Sequence, residues 1–205
     1  MREFARSAMF GRNIQMSSLN GKRQKVLDVG SGTSRRVYDF YPDAEVTGLD
    51  KTSGWDIMEL GLPIGNWDVI FANHVIEHLD DPDFFLDEAK AIMNEKTVLD
   101  IGTPNLCAWF NRILFLFGYL PHSYEVSYRK CYGRAFNWNQ EETGGHVRVF
   151  SVPALIQMLY DHQFKIRSVI GEASFYPCAL PITLFDRFIS HVPSFASSFR
   201  ILCTL

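Results

Sequence analysis

The chain has 205 residues, 47% of them hydrophobic and 14% aromatic, and its 20 basic and 23 acidic side chains leave a net charge of −3. The apolar content excludes a disordered chain, and the lack of a basic surplus argues against a general nucleic-acid binder. The length suits one compact domain, residues 1–205. Four cysteines, at 107, 131, 178 and 203, form no closely spaced pair. A cysteine-built zinc site and a dense disulfide framework are therefore not expected, and free thiols in a reducing cytosol are. No basic-then-apolar leader opens the chain. The longest apolar runs, 113–120 and 175–185, fall short of the roughly 18 residues of a membrane span. A cytoplasmic location is the expectation.

In chain order, residues 1–20 read as a weak helix or arm. Val26-Leu27-Asp28-Val29 is a short apolar run that stops at Gly30, which predicts a buried strand. Residues 33–41 predict a helix ended by Pro42. Residues 44–49 predict a second strand stopping at Asp50, and 67–72 a third. Asp81-Pro82 starts a strong helix through about Met93, with Pro82 near its first turn and Asp83, Asp87 and Glu88 towards its N-terminal end. Phe85, Ala89 and Ile92 share one face of it. Residues 97–101 are another strand, running into Gly102-Thr103-Pro104-Asn105.

Residues 105–148 break the rhythm with an apolar segment, 109–120, and a polar, glycine-containing one, 123–145. Ser151 is a plausible N-cap for a helix over 152–162, with Pro153 in the first turn. Residues 164–170 form a strand, and a Pro-interrupted tail ends in a last strand over 199–205. Alternating strands and helices predict an α/β, doubly wound, Rossmann-like, mostly parallel sheet. Its strand-to-helix loops share one edge, where ligands bind near the switch in strand order.

Glycines at 30 and 32 permit a tight turn and close approach of a ligand to the backbone. Asp50 ends the second strand 20 residues after Gly30, where a carboxylate can accept both hydroxyls of a ribose. The combination points to a nucleoside-type cofactor, either a dinucleotide or S-adenosylmethionine. The third glycine of a dinucleotide fingerprint would fall at Arg35. Asp28 would repel a pyrophosphate and suits a ligand bearing an ammonium group.

Val26-Leu27-Asp28-Val29-Gly30-Ser31-Gly32-Thr33 resembles motif I of the class I S-adenosylmethionine-dependent methyltransferases. Asp68-Val69-Ile70-Phe71-Ala72-Asn73-His74-Val75-Ile76-Glu77-His78-Leu79 is similar to their fourth-strand segment. Thr103-Pro104-Asn105 and Gly145-His146-Val147-Arg148-Val149-Phe150-Ser151 look like stretches found in their small-molecule branch. The resemblance covers roughly 24–170 and implies about seven strands with helices on both faces. It implies that Gly30, Ser31 and Gly32 pass the methionine part of the cofactor, that Asp28 lies near its amino group, and that Asp50 holds the ribose diol. Lys51 beside Asp50, and Asn73 and His74 at the end of the fourth strand, join that set. Asp56 is the candidate for the adenine amine. Two departures stand out. Ser34 replaces the motif's last glycine, and only 16 residues lie between Asp50 and Trp67, where the family fits a helix, a strand and the adenine loop. Either that helix is reduced to a turn or the strand is vestigial.

Methyl transfer from a sulfonium needs an aligned nucleophile about 3 Å from the methyl carbon. A base is required only where the acceptor atom must lose a proton. His74 and His78 lie four apart and would share a helix face. Their His-x-x-Glu-His order also occurs in an inverted zinc-peptidase motif. It is set aside because the segment follows a strand of a doubly wound sheet, and no metal is expected. His78 reads as hydrogen-bonding a neighbouring loop. His74, and His146 before an apparent strand, are the catalytic candidates.

Residues 105–145 are the expected substrate cover. Trp109, Phe110, Phe115, Phe117 and Tyr119 either wall an apolar pocket or belong to the core. A third reading is a segment over 109–120 partly inserted at a membrane surface, with Arg112 at the headgroups and 175–185 as a second contact. Arg129, Lys130 and Arg134, interleaved with Tyr124, Tyr128 and Tyr132, either meet an anionic acceptor or form a solvated loop. The function expected is methyl transfer to an O or N atom of a small or carrier-linked acceptor. The rivals are a non-catalytic methyltransferase-like scaffold and an NAD-dependent oxidoreductase.

Overall fold

A computed structural model describes residues 23–33, 36–135, 143–173 and 180–205. Expectations for 1–20, Ser34, Arg35 and Cys178 lie outside these residues, as do those for 175–179. Six strands form one sheet in the order β2-β1-β3-β4-β6-β5. They are β1 (Lys25–Val29), β2 (Glu45–Leu49), β3 (Val69–Asn73), β4 (Val98–Pro104), β5 (Lys165–Glu172) and β6 (Ser198–Thr204). The first four are mutually parallel, and β6 runs antiparallel between β4 and β5. The order reverses between β1 and β3, so the carboxyl ends of these two strands flank the ligand crevice expected of such a sheet.

One face of the sheet carries Leu27, Ile70, Leu99, Ile101 and Ile201. It is covered by α3 (Pro82–Ile92) and α5 (Val152–Asp161), through Phe85, Leu86 and Ala89 and through Leu155 and Leu159, all fully buried. Each of these Phe and Leu side chains contributes about 1.5–3 kcal/mol on burial. Both helices start where the sequence signals a cap: Asp81 accepts from the Phe84 N–H at 3.0 Å and Ser151 from that of Ala154 at 3.4 Å. The opposite face packs Val26, Val69 and Phe71 against Val37, Phe40 and Tyr41 of the short helix α1 (Val37–Phe40) and its C-cap. Beyond Phe71 that face turns polar. Buried Arg200 clasps buried Asp100, its Nε donating at 3.0 Å, while the Tyr41 hydroxyl donates to Asp100 at 2.7 Å. The Arg200 guanidinium also lies 3.7 Å from the centre of the Phe40 ring.

Among the described residues the sheet has six strands rather than about seven. The 51–66 stretch holds a 3₁₀ turn, Lys51–Ser53, and the four-residue helix α2 (Ile57–Leu60). Gly54 and Gly61, both at positive φ, interrupt it on either side of α2, and residues 61–67 pair with no strand. The helix after the glycine loop is confined to α1. His74 and His78 do not share a helix face, because His74 sits at φ 58° in the left-handed region and the 3₁₀ turn begins only at Ile76. His146 precedes no strand; Phe150 alone forms a bridge, to Asn105. Two helices stand where the sequence showed only apolar or Pro-interrupted segments: α4 (Trp109–Leu116) and α6 (Leu180–Ile189).

Candidate active site

The glycine loop and Asp50 meet at the carboxyl ends of β1 and β2. Gly30 and Ser31 donate their N–H groups to the Leu49 carbonyl at 2.8 and 3.1 Å, and the Gly32 N–H donates to an Asp50 carboxylate oxygen at 3.1 Å. The other Asp50 oxygen accepts from the Thr52 N–H at 2.8 Å and from its hydroxyl. These hydrogen bonds hold the Asp50 carboxyl below the ordinary carboxylate range. The two glycines do different work. A Cβ on Gly30 would lie 2.5 Å from a Val75 methyl, so this position lets the loop after β3 approach. A Cβ on Gly32 would meet nothing within 4 Å, which leaves open space above the chain.

Asp28 is 5% exposed, and none of the described residues donates a hydrogen bond to its carboxyl. Burial, and then the charge of Asp50, raise its pKa to about 6. Asn73, at the end of β3, directs a buried side-chain oxygen at Gly102 that has no hydrogen-bond partner. A buried acid without donors, an orphaned amide oxygen and an open glycine cradle fit a ligand that carries an ammonium group and a ribose. The expected adenine side is tied up internally. The Asp56 carboxyl caps α2 through the Met58 N–H at 3.0 Å and pairs with the Lys51 ammonium at 3.0 Å, which lowers its pKa.

Just past the carboxyl ends of β3 and β4 lies a cavity of about 260 Å³ whose walls include His74, His122, His146, Asn105 and Phe110. The His74 Nδ1 lies 3.0 Å from a Glu77 carboxylate oxygen, and the other Glu77 oxygen accepts from the Thr103 hydroxyl at 3.0 Å. A carboxylate accepts, so Nδ1 carries a proton and donates it, and in the neutral ring Nε2 is the proton acceptor. His146 arrives from far along the chain. The Glu77 carbonyl accepts from the Val147 and Arg148 N–H groups at 2.9 and 3.0 Å, and the Glu125 carboxylate accepts from Gly144 at 2.7 Å and Gly145 at 3.0 Å. Burial, more than any neighbouring charge, lowers the pKa values of His122 and His146, so both are neutral imidazoles at neutral pH.

The structure thus brings Asp28, Gly30, Ser31, Gly32, Asp50 and Asn73 to one crevice and His74 and His146 to one cavity wall. His78 hydrogen-bonds the neighbouring Gly145 carbonyl at 3.1 Å. Of the insertion's aromatics, Phe110 lines the cavity and Trp109 packs edge-on against Phe185 at 5.0 Å; Phe115, Phe117 and Tyr119 are exposed. Arg112 donates to the carbonyls of Cys107 and Ser194 at 2.7 and 3.0 Å and stacks over Phe195, so its charge secures α4 to the protein. Arg134 donates to the His122 carbonyl at 2.6 Å, while Arg129 and Lys130 are exposed. His122 and Glu125 were not among the sequence candidates. Neither has a spacing that marks it; the fold of the insertion alone brings them to the site.

Among solved structures, the chain resembles a SAM-dependent methyltransferase from Archaeoglobus fulgidus at 14% identity and a TM-score of 0.53, covering 89% of this chain and 86% of that one. A methyltransferase from Clostridium acetobutylicum aligns at 12% identity and a TM-score of 0.53, over 88% and 83% of the two chains. One from Mesorhizobium loti aligns at 12% and 0.52, over 90% and 92%. These likenesses concern the fold. No curated protein matches. A family model described as a methyltransferase domain matches residues 1–169, which takes in the glycine loop, Asp50, Asn73 and every histidine on the cavity wall. By that match, the chain belongs to the methyltransferase domain family.

Proposed function

We propose that the protein is an S-adenosylmethionine-dependent methyltransferase that moves a methyl group to an oxygen or nitrogen of a small or carrier-linked acceptor. The observation that carries this reading is the junction of the open Gly32 cradle with the Asp50 carboxylate, next to the donor-free acid Asp28. The cofactor, when bound, supplies an electrophilic methyl on a sulfonium. Asp50 accepts from the ribose hydroxyls, Asp28 neutralises the ammonium, and Gly30, Ser31 and Gly32 border the methionine part. Asn73 offers its unpartnered oxygen. Lys51 and Asp56 lie on the adenine side. The cavity takes the acceptor, a small molecule rather than a nucleic acid. There His74 Nε2, oriented by Glu77, and the neutral His146 are placed to receive the proton that an acceptor hydroxyl or amine must lose.

Calorimetry of the full chain with S-adenosylmethionine, S-adenosylhomocysteine and NAD tests the assignment. Binding of the first two but not the third is expected. Asp50→Ala, which removes the ribose acceptor, is expected to weaken binding at least tenfold, as loss of hydrogen bonds to a charged group does. A second reading, a non-catalytic scaffold, draws on the missing strand between β2 and β3 and the four-residue helices at the glycine loop and the adenine side. Absence of binding to all three at millimolar ligand supports it. Binding of NAD alone turns the assignment to an oxidoreductase. We also place a peripheral membrane contact on α4 and α6. Exposed apolar side chains, Phe115 and Leu116 of α4 with Phe117 at its C-cap, and Leu184 and Phe188 of α6, accompany the Trp109–Phe185 contact between the two helices.

A further inference from the structure

Glu77, His78 and His146 form a cluster beside the cavity; the methyl-transfer reading uses Glu77 only to orient His74 and His146 only as a second proton acceptor, and it leaves His78 unused. One carboxylate oxygen and one nitrogen from each ring lie within 4.8 Å of one another. The two imidazole rings stand 4.9 Å apart, centre to centre. His78 Nδ1 lies 3.1 Å from the Gly145 carbonyl and His146 Nδ1 lies 3.2 Å from that of Ser123. A carbonyl only accepts, so each Nδ1 carries the proton and each Nε2 presents a lone pair. Fixing a histidine's tautomer and ring orientation through its other nitrogen is how proteins prepare imidazoles to bind metals.

Glu77 is 1% exposed, and each of its oxygens has one donor, His74 or Thr103, which leaves lone pairs on both. Two backbone hydrogen bonds from 147 and 148 to the Glu77 carbonyl hold the two halves of the cluster together. The protein has therefore spent two loop clamps, Glu77's carbonyl and Glu125's carboxylate, on placing His146 here.

We propose that Glu77, His78 and His146 bind one divalent transition-metal ion. Two imidazoles and one carboxylate form a donor set suited to such ions, with positions left for water or substrate. Ligand bonds of 2.0–2.2 Å set donor atoms about 3.4 Å apart in a tetrahedral site, so the cluster closes by roughly 1 Å on binding. His74 and Thr103 are then positioning residues that orient Glu77. The His-x-x-Glu-His segment, set aside as a metal motif on sequence grounds, supplies two of these ligands, and the third comes from 68 residues later. His146 also lines the cavity, so the ion stands at its wall. Where the cavity takes a hydroxyl acceptor, as proposed above, the ion would acidify that hydroxyl and the proton would pass to His74. Binding of the ion itself does not depend on that reading.

The test is titration of the tag-free full chain with Co²⁺ alone, followed by visible absorption and by thermal melting. Ligand-field bands saturating at one ion per chain, and a melting temperature raised by Co²⁺, are expected. His78 is exposed, so His78→Asn leaves the fold intact; it is expected to weaken Co²⁺ binding at least tenfold and abolish the thermal shift. His146→Asn is expected to do the same, and His191→Asn, remote from the cluster, to change neither readout. Absence of the bands, or wild-type affinity in His78→Asn, overturns the proposal. Should Co²⁺ bind while S-adenosylmethionine does not, the methyltransferase assignment fails and the ion site stands; the reverse result sinks the ion site alone.

Discussion

Asp28 shows how a residue kept for a ligand taxes the fold that holds it. Its pKa is raised to about 6 from 3.8 by burial and by the neighbouring Asp50. The folded state therefore binds this proton more tightly than the unfolded chain. The stability is fully present below about pH 4 and is lost as pH rises through 6, at a cost of about 3 kcal/mol once the acid is ionised. Asp28→Asn is expected to raise the melting temperature at pH 7 by several degrees and to leave it unchanged near pH 3.5. A lower melting temperature at pH 7 would show that Asp28 has a stabilising partner. The same substitution removes the charge opposite the ammonium, so cofactor affinity should fall at least tenfold at pH 7. For the wild type, calorimetry from pH 8 down to pH 5 should show affinity declining as Asp28 takes up its proton.

At the scale of elements, the sequence was most legible where two signals coincide. β1, β3 and β4 are apolar runs with a clean stop, and α3 and α5 join an acceptor cap to a proline in the first turn. The crevice was legible for the same reason: Gly30, Gly32, Asp50 and Asn73 each sit at or just beyond a strand end. Less was legible where a tertiary contact decides. α6 carries Pro181 in its first turn, which a helix tolerates, and its apolar residues recur at helical spacing, yet the tail reads as broken because its prolines interrupt the run. His146 reaches its neighbours through the carbonyl of Glu77, a contact with no local pattern. α4 and α6 also carry a prediction of their own. Co-sedimentation with anionic phosphatidylserine vesicles is expected for the wild type and should be lost in Leu116→Glu combined with Phe188→Glu, both positions being highly exposed. No pelleting of the wild type would remove the membrane contact.

At the scale of the whole molecule, the polar half of the sheet is a commitment the apolar half does not share. Arg200, Asp100 and Tyr41 tie β6, β4 and the end of α1 together, and Glu172 on β5 lies 3.5 Å from Arg200. Asp100→Ala leaves the guanidinium buried without its carboxylate and is expected to cost about 3–5 kcal/mol in urea unfolding. Replacing both partners, with Asp100→Leu and Arg200→Met, should recover most of that loss. If the double variant is no more stable than the single, the cost lies in packing rather than in the stranded charge.

The placement of β6 has a consequence for the order of assembly. β5 pairs with β6 and with no other described strand, and β6 follows it in the chain. During translation, β5 is synthesised before the strand that will seat it. At ordinary elongation rates of 5–20 residues per second, the interval is roughly 2–6 s. Until β6 is in place, Ile166, Val169 and the open side of β4 lack their partner. A nascent-chain chaperone, or premature pairing of β5 with the bare edge of β4, would meet the protein at that moment.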